Sequence, residues 1–212
     1  LILTEKHIDK LFSDFSRLRI MVIGDVMIDS YLNGVVERMS PEAPVPVVAV
    51  RSRFNRLGGA ANVTLNLKAM EAEPILCSVI GQDDNAETFL QLMKEFALPL
   101  QGIVQSGERI TTIKERVLGN RKQLLRIDEE DTHDLSQNEL QLLETKIIAI
   151  LNSQKIDAII LQDYNKGVLS KELIEKVIAL ANDKNIPITV DPKKEIFFLT
   201  KTSHFLSLTP KN

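Results

Sequence analysis

Cysteine is nearly absent from this 212-residue chain. Cys77 is the only one, so no intramolecular disulfide can form and no cysteine-based zinc site can be built. Histidine is scarce as well. His7, His133 and His204 stand far apart with none of the spacings that metal ligation uses, and each reads as a surface or core residue. No apolar run approaches the length that crosses a bilayer, and Leu1 to Lys10 carries charges where a secretory leader is apolar. The expected location is therefore cytoplasmic, without a membrane partner. The net charge of −3 gives no reason to expect nucleic acid. Three familiar motifs are also missing. Without G-x-x-x-x-G-K-[ST] the chain is not a P-loop enzyme by motif, and without G-x-G-x-x-G after its first apolar run it is not an NAD-type dinucleotide binder. Without G-x-S-x-G it lacks the serine-hydrolase elbow.

What is there is an alternation of strands and helices. Ile8, Leu11, Phe12 and Phe15 recur at helical spacing and predict an amphipathic first helix. Arg19 to Gly24 reads as a buried strand, Asn62 to Met70 as a helix and Ile75 to Ile80 as a strand. Ala86 to Phe96 is predicted helical, with Phe89, Leu90, Met93 and Phe96 on one face. A helix from about Gln137 to Leu151, a strand from Ala158 to Leu161, a helix from Lys171 to Ala181 and a strand from Ile188 to Val190 complete the pattern. The expected fold is α/β, a mostly parallel sheet with helices on both faces.

Two segments, about 35–51 and 110–128, break that rhythm. Pro41, Pro44 and Pro46 forbid a helix and confine any strand there to an edge, and the extended pattern resumes at Val47 to Val50. From Thr111 to Asp128, two strand-like runs flank Gly119-Asn120, a hairpin signal. Together they predict a small second sheet, either a lid that excludes water or a plain surface hairpin. Thr112, Lys114 and Arg116 share one face of the first run, so that face is cationic and suited to a phosphate, unless it is merely solvated. A turn at Gly119-Asn120 places Gln123 opposite Arg116 and Arg126 on the other face; a one-residue slip reverses this.

Candidate site residues collect at strand ends. Asp25 and Asp29 follow the first strand, Asp163 follows Ala158 to Leu161, and Asp191 follows Ile188 to Val190. This is the carboxyl edge where open α/β sheets bind ligands. Asp25 and Asp29 can accept hydrogen bonds from sugar hydroxyls or cap a turn. With Lys166 and Lys193 nearby, the set would suit Mg²⁺ and a polyphosphate. Gly58 and Gly59 precede a helix whose free N–H groups face outward, and Asn62, one turn in, can donate and accept hydrogen bonds as a polyol requires.

Leu57-Gly58-Gly59-Ala60-Ala61-Asn62-Val63, Gly24-Asp25-Val26-Met27-Ile28-Asp29 and Asp163-Tyr164-Asn165-Lys166-Gly167 together resemble the ribokinase-like (pfkB) carbohydrate kinases. Met39 to Val47, the Asp163–Gly167 segment and Asp191-Pro192-Lys193 look like the bacterial branch acting on D-glycero-D-manno-heptose 7-phosphate. The similarity runs from about Ser13 to the end. It implies a sugar held beneath a β lid, with ATP and Mg²⁺ as cofactors and phosphorylation at the anomeric O1. The product would be the 1,7-bisphosphate used for ADP-heptose and lipopolysaccharide. By this resemblance Asp29 and Asn62 hold sugar hydroxyls and Gly58 and Gly59 shape the floor; the cationic strand face makes Lys114 and Arg116 the expected contacts of the sugar's phosphate. Asp163, Lys166, Asp191, Lys193 and Asn212 fall near the phosphate and Mg–nucleotide.

The chain departs from that pattern at its end. No G-x-G-D occurs, so the family's general-base Asp is expected beyond Asn212, and Lys211 stands where the N-x-x-E motif would begin. The expectation is an N-terminal portion of a kinase domain, inactive alone, with a homodimer through the lid and a fused adenylyltransferase domain as further expectations. The alternatives are a kinase for another sugar or sugar phosphate, and a non-catalytic sugar-phosphate-binding module.

Overall fold

A computed structural model describes residues 4–191 and 205–207. In chain order it has α1 (Glu5–Phe15), β1 (Arg19–Gly24), β2 (Val26–Met39), β3 (Pro46–Gly59), α2 (Ala60–Ala69), β4 (Glu73–Ile80), α3 (Asp84–Glu95) and β5 (Ile103–Gln105). There follow β6 (Ile113–Gly119), β7 (Lys122–Glu129), α4 (Gln137–Ser153), β8 (Ala158–Gln162), α5 (Lys171–Asp183), β9 (Ile188–Asp191) and β10 (Phe205–Ser207).

The main sheet has the order β10-β9-β8-β1-β4-β5, and every neighbouring pair is parallel. Its strands are apolar at successive positions because both faces are covered. Met21 and Ile23 point to the side packed by Leu143 and Ile147 of α4 and Leu173 and Val177 of α5. Ile20 and Val22 point to the other side, packed by Leu67 of α2 and Phe89 and Met93 of α3. The expected fold class is therefore the observed one. Phe96 differs: α3 ends at Glu95, Phe96 becomes its C-cap, and 46% of it is exposed. Among the described residues no helix is long and apolar enough to cross a membrane.

The second sheet has the order β3-β2-β6-β7, with β2 antiparallel to β3 and parallel to β6, and β6 antiparallel to β7. Its first pair runs longer than the 35–51 read from the sequence. β2 starts one residue after β1, and β3 continues directly into α2. The prolines mark only the far turn, and Pro46 pairs with Met39 on an edge strand, where its missing N–H costs no ladder bond.

The hairpin turn is Asn120-Arg121, one residue later than the sequence signal, with φ of 53° and 65°. Two consecutive positive φ values suit the right-handed twist of the flanking strands. A bulge at Leu124 then adds a second shift, so Arg116 pairs with Arg126 and Lys114 with Asp128. Arg126 therefore shares the face of Lys114 and Arg116, and Gln123 pairs with Leu118 instead.

Candidate functional site

The two sheets meet at Asp25, the one residue between β1 and β2. Its carboxylate accepts hydrogen bonds from the backbone N–H groups of Tyr164 (2.8 Å), Lys166 (3.1 Å) and Val168 (3.0 Å). Only 1% of Asp25 is exposed. Burial pushes its carboxyl above the ordinary value, although the three amides oppose that. Of the two readings open for Asp25, capping the loop after β8 is the one the geometry takes.

Asp29 is differently placed. Its Oδ1 accepts a 2.6 Å bond from Arg116 Nη1, and its carboxylate leans over Gly58, where an added Cβ would lie 2.6 Å from Oδ2. Only a glycine admits that approach. Gly59 caps α2 with φ 61° and ψ −138°, a conformation other residues avoid, and a Cβ there would strike the Asp25 carbonyl oxygen at 2.4 Å. Asn62 lies in the first turn of α2, exposed, with no side-chain hydrogen bond among the described residues. The Asp29 face of the small sheet turns toward the carboxyl edge of the main one. After burial, the charges of Asp191 and Asp29 are what raise the Tyr164 phenol above its usual value, so all three are within electrostatic reach of one another.

The cations expected on this face are there, and each has a carboxylate. Lys114 Nζ bonds Asp128 (2.8 Å) and Glu130 (2.6 Å), and Arg126 Nε bonds Asp128 (2.9 Å). Glu130 also receives Lys166 Nζ at 2.6 Å, which ties the hairpin to the loop after β8. Burial works to raise the Glu130 carboxyl, but hydrogen bonds from Lys114 and Lys166 outweigh it and hold it below its usual value.

Asp163 and Asp191 end β8 and β9 as expected. Asp163 Oδ1 accepts from the Asn165 N–H at 2.7 Å, and Asp191 Oδ2 accepts from Gln162 Nε2 at 2.8 Å. Lys193 and Asn212 lie outside the described residues.

Several contributors escaped the sequence reading. Tyr31, Phe54 and Arg56 share the Asp29 face, and a period-2 count along β2 and β3 would have found them. Arg109 and Glu139 form a buried ion pair at 2.9 Å, with 4% and 0% side-chain exposure. Arg109 also donates to the carbonyls of Lys166 and His133, both at 3.3 Å. The Ser136-x-x-Glu139 capping box was legible, but the partner of Glu139 was not.

A profile of the pfkB family carbohydrate kinases matches residues 17–209. The chain belongs to that family. It is 48% identical over 174 residues to the bifunctional protein HldE of Methylobacillus flagellatus, covering 82% of this chain and 36% of the relative. Against the bifunctional protein HldE of Helicobacter pylori strain J99 the identity is 41% over 196 residues, covering 91% of this chain and 41% of the relative. The chain thus spans well under half the length of these relatives. Phosphofructokinase-2 from Escherichia coli, solved in complex with fructose-6-phosphate, superposes with a TM-score of 0.63 at 16% identity. That match covers 84% of this chain and 56% of the other, and shows the shared fold.

Kinases of the pfkB family imply Mg²⁺ and ATP. Among the described residues no group of three or more His, Cys, Asp or Glu side chains is placed to hold a metal ion. Asp163 and Asp191 do not by themselves make a protein-built metal centre. The fit is that of an ion taking most of its ligands from phosphate and water, as Mg²⁺ commonly does.

Proposed function

We propose that this chain carries the sugar-binding part of an ATP-dependent kinase that phosphorylates O1 of D-glycero-D-manno-heptose 7-phosphate. The product is the 1,7-bisphosphate for ADP-heptose and lipopolysaccharide core synthesis. The observation that carries the reading is the Asp29 carboxylate, fixed by Arg116, leaning over Gly58 on a cationic sheet that faces the Tyr164 loop. A carboxylate so placed can accept hydrogen bonds from two hydroxyls, and Asn62 supplies a donor and an acceptor beside it. Lys114 and Arg116 draw the sugar's phosphate to the same sheet, in competition with the carboxylates they now hold. The small sheet covers the mouth and keeps water from the transferred phosphoryl group.

Asp163, Lys166, Asp191, Lys193 and Asn212 belong to the phosphate and Mg–nucleotide side of this proposal, with ATP as donor. Self-association through the lid and a fused adenylyltransferase domain belong to it too. The heptose assignment rests on the segments Met39 to Val47, Asp163 to Gly167 and Asp191 to Lys193. Isothermal titration with heptose 7-phosphate, with fructose 6-phosphate as comparator, tests it. Selective binding that is lost in Asp29→Ala and Asn62→Ala variants is the expected result. Preference for fructose 6-phosphate would assign another sugar phosphate, and no binding by a folded chain would refute a sugar site in this part of the kinase.

A further inference from the structure

Lys114, Arg116 and Arg126 are all neutralised by carboxylates on their own sheet. Arg56 is not: among the described residues its guanidinium has no ion-pair or hydrogen-bond partner, and the residue is exposed. It stands directly opposite Asp29 across the β2–β3 ladder, yet Asp29 leans away from it to Gly58 and Arg116. Its guanidinium lies instead over the stacked rings of Tyr31 and Phe54, 5.6 Å and 5.2 Å from their centroids. The Arg116 guanidinium lies over Tyr31 as well, at 5.4 Å.

Two guanidiniums are thus gathered on one aromatic ring. Stacking of this kind orients a guanidinium without using its in-plane N–H donors; Arg116 gives Nη1 to Asp29 and to the Lys114 carbonyl, while the side-chain donors of Arg56 are unspent among the described residues. Tyr31 is two residues out from Asp29 on the same face of β2, a displacement of roughly 7 Å along the strand. A ligand with hydroxyls on Asp29 and a phosphate at its far end would bring that phosphate to Tyr31.

We infer that Arg56 is a specificity-determining residue, completing with Arg116 a subsite for the substrate's own phosphate on the Tyr31–Phe54 platform. The inference rests on the sugar-phosphate reading of the site. It moves the emphasis from Lys114, which holds two carboxylates already, to a cation on this face that, among the described residues, needs no displacement before it can bind an anion.

The chain has two tyrosines and no tryptophan, so in a Tyr164→Phe background Tyr31 is the only emitter of its kind and reports on the subsite directly. Its emission is followed while heptose 7-phosphate, unphosphorylated heptose and inorganic pyrophosphate are added. The expected result is that Arg56→Ala weakens heptose 7-phosphate binding about tenfold to a hundredfold, as loss of a charge-assisted bidentate contact should. Binding of unphosphorylated heptose should be unchanged, and Arg56→Lys should recover part of the loss. Equal losses for both sugars, or none for either, would overturn the inference. If neither sugar binds but pyrophosphate binds and depends on Arg56, the sugar reading falls and the phosphate subsite stands. If no phosphate-bearing ligand shows dependence on Arg56, the subsite falls.

Discussion

At Arg109 a guanidinium with 4% of its side chain exposed meets a fully buried carboxylate, that of Glu139. Burial works against ionisation of Glu139, and the Ser136 amide, Ser106 and Arg109 outweigh it. Truncating one partner leaves the other charge buried and alone, which costs about 3–5 kcal/mol. Arg109→Ala should therefore lower the unfolding free energy by about that amount in urea titration. An Arg109→Ala/Glu139→Ala double variant should lose less than the sum of the single losses, because no isolated charge remains. Additive losses would mean that the two side chains act separately. The consequence reaches the site, since Arg109 also holds the carbonyl of Lys166, whose ammonium grips Glu130.

The hairpin β6–β7 is fastened to the main domain through Glu130, so its docking should respond to acid. In the folded chain Asp128 and Glu130 sit below their usual 3.8 and 4.5, with the Lys114 hydrogen bond the leading cause for Asp128. Unfolding returns both to those usual values, so the unfolded state binds more protons. The stabilisation is then in place above about pH 4.5 and lost as pH falls through the lowered values. Amide protection in β6 and β7, taken relative to intrinsic exchange at each pH, should fall on acidification below pH 4.5, and Glu130→Gln should flatten that response. An unchanged acid response in Glu130→Gln would release Glu130 from this role. This coupling was not readable from the chain, because it depends on where the hairpin turns. Gly119-Asn120 announced a hairpin, but the tertiary structure set the turn one residue later and the bulge at Leu124 moved Arg126 across to its partner face. Strands such as β1, with both faces apolar, and the start of α2 at Gly59 were legible because their patterns are local. The partners of Arg109 and Glu130 lie 30 and 36 residues away and left no local signature.

Across the whole molecule, the covered core and the small sheet are stabilised by different means. β1, β4 and β8 are packed on both faces by α2, α3, α4 and α5. The small sheet shares that cover only at its inner end, where Val26, Ile28 and Leu57 join the core and Ile113 packs against it; every residue of β7 is exposed, and the hairpin is tied back by the Lys166–Glu130 pair. Segments with few buried apolar contacts open at lower free energy than the core around them. In hydrogen exchange without ligand, β6, β7 and the outer halves of β2 and β3 should therefore exchange well ahead of β1, β4 and β8. A sugar phosphate that bridges Asp29 to the Tyr31 platform adds contacts chiefly to the small sheet, with Asn62 at the start of α2 as its one contact on the main domain. Heptose 7-phosphate should slow exchange in β2, β3 and β6 while leaving β1 and β4 nearly unaffected. Protection spread evenly over both sheets would show instead that the ligand acts by raising global stability, and that the small sheet is not a separately moving lid.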